Sequence, residues 1–523
     1  MRFEGKILRE IIQELSSQKK FTRKAVEVTA KKICKKYGLP DIPTNVQILQ
    51  LCNKEEKNKL KRILVMKPVR TISGVTIITV ACKPDKCPGD CLYCPKGENS
   101  PQSYTGLEPA IQRGIFNKYD PFLQVIDRLN QYRLMGHSRD KVELIIIGGT
   151  FLAQDKPYQE WFICRLFDAL NGVQSGSLYD AHKLNESAKI RCSGLTIETR
   201  ADYCFEKHID QMLRFGVTRV EIGVQSIYPE VLEKINRMHT VEDVIRATQL
   251  VKDSCLKCTY HIMPGLFVDF KKDLGQLKFL FNNSNFKPDS LKIYPTLVVK
   301  NTKLYEMWKN GEYQPLTTEK ATELLSEAMR YIPKYCRMIR VQRDIPAGQI
   351  EAGVNKSNLR ELVERRAEKL GIKIREIRYR EVGHQLEKGN VVDYKHIKLG
   401  RMSYDSSNGK EVFLSFEDVK NDILIGFLRL RIPFKPFRPE ITDKTALIRE
   451  LHVYGPLVPV GKFEAEAFQH KGFGRMLLEK AEKIAKEEFD KSKVVIISGV
   501  GVRKYYAQFG YRKDGPYVSK ILR

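Results

Sequence analysis

The chain has 523 residues, of which 42% are hydrophobic and 29% charged, and carries a formal net charge of +27. At ~100–200 residues per domain it holds about three folded units, and so large a basic excess points to a polyanionic partner, nucleic acid ahead of an acidic membrane surface. No run reaches the ~20 apolar residues of a membrane span, and Met1-Arg2-Phe3-Glu4-Gly5 lacks the apolar core of a signal peptide. The expected location is therefore cytoplasmic, where twelve cysteines read as metal-binding or catalytic groups rather than as disulfides.

Residues 1–69 are rich in basic pairs: Lys19-Lys20, Arg23-Lys24, Lys31-Lys32 and Lys35-Lys36. Ile7, Leu8, Ile11, Ile12 and Leu15 recur at helical spacing, so the segment reads as a small helical domain with a basic outer face turned to phosphate. Residues 70–340 change pattern. Short β-rich runs, Val75–Ala81, Val142–Ile147, Gly194–Thr199, Arg219–Val224, Thr259–Met263 and Leu291–Tyr294, alternate with helical stretches. Most are nearly continuous in apolar residues, as in a parallel sheet covered on both faces. Six such units predict an α/β fold built on an incomplete (βα)6 barrel, with ligands at the C-terminal ends of its strands.

The loop after the first strand reads Cys87-Pro-Gly-Asp-Cys91-Leu-Tyr-Cys94. Three thiolates at C-x3-C-x2-C spacing suit three irons of a [4Fe–4S] cluster and leave the fourth iron free. That iron can bind the amino and carboxylate groups of S-adenosylmethionine (SAM), whose one-electron cleavage gives a 5′-deoxyadenosyl radical. A structural zinc site is the alternative, with Cys82 as fourth ligand; loop spacing and barrel together favour the cluster. Gly148 and Gly149 after the second strand let backbone carbonyls approach the SAM amino group. Glu198 and Arg200 at the end of the third strand, and Gln225 at the end of the fourth, are further polar candidates. Cys255, Cys258 and His261 have ligand-like spacing but no second pair nearby, and read as ordinary residues.

Residues 341–379 read as a basic linker that also touches the partner, with Arg360, Arg365, Arg366, Lys369, Lys373, Arg375 and Arg378. In residues 380–523 the turn Gln469-His-Lys-Gly472-Phe473-Gly474-Arg475 opens an amphipathic helix. Its exposed N–H groups and the helix dipole suit a pyrophosphate. Leu447–Val453 reads as the preceding strand, Val494–Ile497 as the following one, and Tyr505-Tyr506 as lying beside a thioester, placed to orient or protonate its sulfur. This order resembles the GCN5-related acetyltransferase fold that binds acetyl-CoA.

The two signatures in this order resemble the catalytic subunit of Elongator. Lys67-Pro-Val-Arg70, Gln102–Gly106, Gly148–Phe151, Val341–Pro346, Ile425–Arg431, Ile497–Gly501 and Asp514–Lys520 carry the likeness over nearly the whole chain. The resemblance implies carboxymethylation at C5 of uridine 34 in the anticodon loop of tRNA. It implies that Cys87, Cys91 and Cys94 hold the cluster, and that acetyl-CoA meets Glu450, Leu451, His452, Val453, Phe473, Gly474, Arg475 and Tyr506. Lys141, a surface residue by position alone, matches a lysine also assigned to acetyl-CoA. An electron donor and other Elongator subunits are implied partners. The expected chemistry is hydrogen abstraction from the acetyl methyl, addition of the carbon radical to C5, loss of an electron and a proton to restore the ring, and hydrolysis of the thioester. The rival reading is a protein lysine acetyltransferase with a structural cluster; a tRNA-binding scaffold would need one of the two sites to be defective.

Overall fold

The six expected strands pair in chain order into one parallel sheet in the computed structural model, which describes residues 5–17, 22–39, 41–65, 71–455 and 472–522. They are β1 (Thr76–Ala81), β2 (Lys141–Ile147), β3 (Arg191–Thr199), β4 (Arg219–Gln225), β5 (Lys257–Ile262) and β6 (Ser290–Ile293). A seventh strand absent from the sequence reading, β7 (Arg337–Arg340), joins β6 in parallel and leaves β1 and β7 at opposite edges.

Register corrects the picture of strands apolar on both faces. Ile78, Val80, Val142, Leu144, Ile146, Ile197, Ile222 and Leu291 are buried in the main core beneath the helices. The other face is mostly polar: Ile77 lies beside Glu143, Thr196 beside Arg219, Glu198 beside Glu221, Glu221 beside Thr259, and His261 beside Lys292. Side chains alternate along a strand, so these groups share the lumen of the open barrel. Such interiors are normally filled by layers of branched apolar side chains.

The N-terminal helices Gly5–Ser17, Arg23–Lys36, Asn45–Leu51 and Lys54–Leu64 close around a separate core that includes Ile7, Ile11, Leu15, Ile33, Ile48 and Leu60. Their lysines are not bare: Lys31 pairs with Glu27 (2.6 Å), Lys32 with Glu14 (2.9 Å) and Lys36 with Glu10 (2.7 Å). Lys19-Lys20 and the Lys67–Arg70 motif lie outside the described residues.

The C-terminal sheet has strands β8 (Ile397–Ser406), β9 (Gly409–Asp418), β10 (Ile423–Ile432), β11 (Thr445–Val453), β12 (Lys493–Ile496), β13 (Arg512–Asp514) and β14 (Tyr517–Ile521), in the order 8-9-10-11-12-14-13. Helix Phe473–Glu487 covers one face through Leu477, Leu478, Ala481 and Ile484. Phe413, Phe427, Leu447, Val495 and Tyr517 on the other face merge into the barrel core.

The sheet docks at the N-terminal ends of the barrel strands. Arg449 grips Asp289 just before β6, Arg431 grips Asp253 before β5, and Tyr517 donates to the Ser254 carbonyl at 3.1 Å. A side chain at Gly499 or Gly501 would collide with backbone at the start of β3, which requires glycine at both positions.

The segment expected as a basic linker is a packed part of the barrel. Helix Leu359–Lys369 buries Leu359, Val363 and Ala367, and Ile372, Ile374 and Ile377 follow it into the same core. Arg360 donates to the Met338 carbonyl at 2.5 Å, and just beyond the segment Arg380, fully buried, pairs with Glu417 (2.5 Å) and Asp422 (2.8 Å). Arg365 and Arg366 remain exposed.

Candidate active site

The thiol loop sits at the C-terminal mouth of the barrel. A turn bond from Cys94 N–H to the Cys91 carbonyl (3.0 Å) shapes it, and bonds from Leu92 N–H to the Ile235 carbonyl (3.1 Å) and from Gln102 to the Gly89 carbonyl (3.0 Å) fix it. Cys91 and Cys94 are buried and Cys87 half-buried. Arg237 donates to the Cys91 sulfur at 3.5 Å and to the Gly223 carbonyl at 2.6 Å, bringing a fixed cation to the thiols. Burial, then the neighbouring Cys91, push the Cys94 thiol up to about 11; metal binding favours the thiolate over this penalty.

Arg200 holds Asp202 through two bonds of 2.9 Å, while its buried Nη1 has no hydrogen-bond partner among the described residues. Any side chain at Gly89 of the loop would strike that guanidinium. Gly148 (φ +128°) occupies a backbone conformation that L side chains rarely adopt, Gly149 (φ +70°) and Gln225 (φ +68°) are left-handed, and the buried Oε1 of Gln225 has no hydrogen-bond partner among the described residues. Three thiols on one short loop, a cation beside them and orphaned polar atoms fit an iron–sulfur cluster with a charged co-substrate. Cys82 is not a fourth ligand. Its thiol donates to the Gly148 carbonyl at 3.1 Å, accepts from Gln154 at 3.3 Å, and is pushed up to about 12 by burial.

The acetyltransferase cleft lies at the other end. Pairing of β11 with β12 stops at Ile448 and Ile496, while β11 runs on to Val453 along β10. The separating strands expose backbone able to pair with a pantetheine arm. Gly472 (φ +78°) caps helix Phe473–Glu487 without a side-chain bond to its first-turn N–H groups, an arrangement suited to an anion. A methyl at Gly474 would come within 2.7 Å of the Tyr505 hydroxyl, so any side chain there must push Tyr505 aside. Gly474→Glu is accordingly expected to remove acetyl-CoA binding in calorimetry while the helical circular dichroism signal persists; unchanged affinity would refute the placement.

Tyr505 is partly exposed at this turn and Tyr506 is buried beneath it. Burial, with Tyr505, Cys255 and Glu450 close by, raises the Tyr506 hydroxyl above the ordinary tyrosine value and keeps it a proton donor. Burial would raise the Glu450 carboxyl, yet Lys257 and Arg429 outweigh it and hold the group at about 2. Arg429 donates to Glu450 at 2.8 Å, and His452 donates through Nε2 to the Ser73 carbonyl at 3.0 Å. Leu451 packs into the sheet core. Arg475 is exposed and pairs with Glu479 at 2.7 Å. Gln469 lies outside the described residues.

Lys141 heads β2 at the barrel foot, in register with Arg191, against which Gly501 packs. It therefore stands on the acetyltransferase side, away from the thiol loop. The strand start is readable in sequence; the docking of the second sheet at that foot is not.

Between the two ends runs a chain of lumen charges. Arg219 pairs with Glu143 and bonds Thr196 at 3.1 Å. Lys292 bonds Glu198 at 2.9 Å and pairs with Glu221; His261 Nε2 meets Glu221 at 2.9 Å, and Tyr104 donates to Glu198 at 3.4 Å. Glu198, Glu221 and His261 are close enough to share an ion, but the Lys292 ammonium bonds both carboxylates and takes that place. Cys255, Cys258 and His261 do not converge. The Cys255 thiol donates to the Ile448 carbonyl at 3.2 Å, where β11 and β12 part, Cys258 is in the core beneath the helices, and His261 lines the lumen.

Models of four families match the chain in the order of these units: the ELP3 N-terminal domain over residues 5–72, the Radical SAM superfamily over 83–280, the Radical_SAM C-terminal domain over 288–369, and the Acetyltransferase (GNAT) family over 382–511. A tRNA uridine(34) acetyltransferase of Methanocaldococcus jannaschii is 53% identical, covering 99% of this chain and 97% of its own length. Elongator complex protein 3 of Homo sapiens is 44% identical over 99% of this chain and 96% of its own. The solved structure of Methanocaldococcus infernus Elp3 lacking residues 1–46 superposes with a TM-score of 0.77 at 50% identity, covering 86% of this chain and all of that one. With a radical SAM barrel and a GNAT domain docked at its foot, the chain belongs to the Elongator complex protein 3 family.

Proposed function

We propose that the chain uses SAM and acetyl-CoA to form 5-carboxymethyluridine at wobble position 34 of tRNA. The observation that carries this reading is the docking of the acetyltransferase sheet on the barrel foot. With the pyrophosphate at the start of helix Phe473–Glu487 on one face of the sheet, the acyl end of coenzyme A passes between the parting strands toward the opposite face. Here that face packs against the barrel. A protein lysine acetyltransferase needs that exit open to a protein substrate, so the arrangement disfavours the rival.

Cys87, Cys91 and Cys94 would hold the cluster, with Gly148, Gly149, Arg200 and Gln225 around SAM. When bound, cluster and SAM supply a carbon radical able to take hydrogen from the acetyl methyl. Arg237 keeps a cation beside Cys91. Phe473–Arg475 present the helix start to the pyrophosphate, Glu450–Val453 offer a strand edge to the arm, and Tyr506 holds a proton near the sulfur. Lys141 contributes a cation at the foot. A one-electron donor is needed, and other Elongator subunits are potential partners.

The substrate base must be unstacked and held, which suits an anticodon loop better than a duplex. Arg365 and Arg366 lie only 3.9 Å from Glu361 and Glu323, and Lys31 and Lys32 make exposed pairs. Exposed pairs are worth ~0–1 kcal/mol, so phosphate can displace them. Charge reversal at Arg365 and Arg366, or at Lys31 and Lys32, is expected to weaken tRNA binding several-fold and flatten its salt dependence. Acetyl-CoA affinity should not change. Filter binding across a salt series checks this; a flat wild-type salt dependence would contradict it. Mass spectrometry of tRNA nucleosides after anaerobic incubation with SAM, reductant and acetyl-CoA tests the proposed product.

A further inference from the structure

Seven of the described arginines are buried, and six of them meet a carboxylate: Arg200 meets Asp202, Arg380 Glu417, Arg429 Glu450, Arg431 Asp253, Arg449 Asp289 and Arg503 Glu186. Arg237 is the exception. No described carboxylate pairs with it. Its Nη2 donates to the Gly223 carbonyl at 2.6 Å, its Nε has no partner among the described residues, and its Nη1 donates to the Cys91 sulfur at 3.5 Å. A guanidinium stays charged in a protein, and a buried charge without a counter-charge is strongly unfavourable. Among the described groups bonded to Arg237, the Cys91 sulfur is the one able to carry the missing negative charge.

The chain is built to hold the cation there. Helix Pro229–Lys234 ends just before it, and Asn236 (φ +56°) and Met238 (φ +64°) on either side are left-handed, which residues with side chains adopt only at a cost. Apolar Met238 is left exposed while its charged neighbour Arg237 is buried, the reverse of the usual preference. The same turn is tied to the thiol loop: Leu92 N–H donates to the Ile235 carbonyl at 3.1 Å, and Asn236 donates to the Asp90 carbonyl at 3.2 Å. Gly223 leaves room, since a methyl there would come within 2.6 Å of Arg237 Nη2. Cys91, Tyr93 and Cys94 share an apolar cluster with Leu232 and Ile235, where water screens little and a fixed charge acts strongly.

We propose that Arg237 is the built-in counter-ion of the cluster held by the thiol loop, and that through Cys91 it raises the reduction potential there. Iron–sulfur potentials follow net charge and hydrogen bonds to the sulfurs. Three thiolates leave an oxidised [4Fe–4S] group net anionic. A low-potential one-electron donor then gives up one electron and is oxidised, no bond breaks, and the site gains one more negative charge. The guanidinium at Cys91 favours that reduced form. Arg237 is thus a positioning residue that acts through a ligand. This deepens the proposed function and rests on its assignment of the cluster to Cys87, Cys91 and Cys94.

The test is a potentiometric titration of the full-length protein loaded anaerobically with iron and sulfide. Electron paramagnetic resonance follows the reduced cluster, and iron and sulfide are measured on the same samples. Arg237→Gln keeps an N–H donor and removes the charge; Arg237→Lys keeps the charge and loses the planar fork. Arg237→Gln is expected to lower the ratio of reduced to oxidised cluster about tenfold at a given potential, a midpoint lower by about 59 mV for one electron. Arg237→Lys should stay closer to wild type. Iron-replete Arg237→Gln with the wild-type midpoint overturns the proposal, and so does an equal drop in both variants. Should Arg237→Gln fail to load, loading and a near-wild-type midpoint in Arg237→Lys support the counter-ion. Failure of both to load overturns it, because the loop then needs the fork and not the charge. A wild-type protein that takes up no cluster overturns the cluster assignment as well, which separates the two failures.

Discussion

Cys91→Ser is expected to reduce formation of 5′-deoxyadenosine from SAM to background, and Cys87→Ser and Cys94→Ser to do the same. The loop supplies three thiols, and with Cys82 engaged by Gly148 and Gln154 no neighbouring thiol stands in for a lost one. Serine is nearly isosteric, and the loop's backbone bonds from Leu92 and Cys94 do not depend on the sulfur. The fold should therefore survive while iron content falls. Arg237 sharpens the case for Cys91, since its Nη1 faces that sulfur at 3.5 Å. The check is chromatographic assay of 5′-deoxyadenosine under strong reductant, with iron and labile sulfide measured on the same sample. An iron-replete variant cleaving SAM at the wild-type rate would refute the ligand assignment.

Asp289→Ala is expected to destabilise the protein by about 3–5 kcal/mol, the usual cost of leaving a buried ion without its partner. Asp289 receives Arg449 at 2.7 and 2.6 Å and the Cys258 N–H at 2.8 Å, and Arg429 lies 3.8 Å away. Burial would raise its carboxyl, but Arg449, Arg429 and Lys252 outweigh that and hold it well below the usual aspartate range. A depressed carboxyl contributes stability that is present above the unfolded value, near ~3.9, and is lost as pH falls through the folded one. Wild type should thus keep this contribution into mild acid, and the variant should lack it at neutral pH already. Calorimetry should show the thermal midpoint lowered by several degrees. Asp289→Leu with Arg449→Met should recover part of the loss, because both charges then leave together. Arg449 adjoins Glu450 on the cleft strand, so acetyl-CoA affinity should fall in the single variant as well. An unchanged midpoint in the single variant would show that this cluster does not lock the domains.

The candidate site residues were legible in sequence wherever they form a short motif. C-x3-C-x2-C, Gly148-Gly149 and Gly472–Arg475 each lie within one loop or turn, where spacing alone marks them as candidates. Six of the seven barrel strands were visible as apolar runs; β7 was not, because Arg337-Met-Ile-Arg340 is four residues long and holds only two apolar residues between arginines. The lumen charges were hidden for a related reason. Glu143, Arg219, Glu221, His261 and Lys292 come from four strands and meet only through register, which no local window contains. Reading 341–379 as a linker took charge as a sign of exposure, whereas Leu359, Val363 and Ala367 repeat every four residues and bury one helix face. The placement of Lys141 at the acetyltransferase side depended on docking, which rests on Arg449, Arg431 and the glycines at 499 and 501 meeting strand ends distant in sequence.

The most direct measurement of whether the two sites serve one reaction follows an atom between them. The protein is incubated with tRNA, SAM, a strong reductant and acetyl-CoA trideuterated in its methyl group, and the 5′-deoxyadenosine produced is weighed by mass spectrometry. Coupled sites require deuterium from the methyl in that product, alongside carboxymethylated uridine. Unlabelled 5′-deoxyadenosine accompanying full conversion of the uridine would contradict a radical acting on the acetyl group.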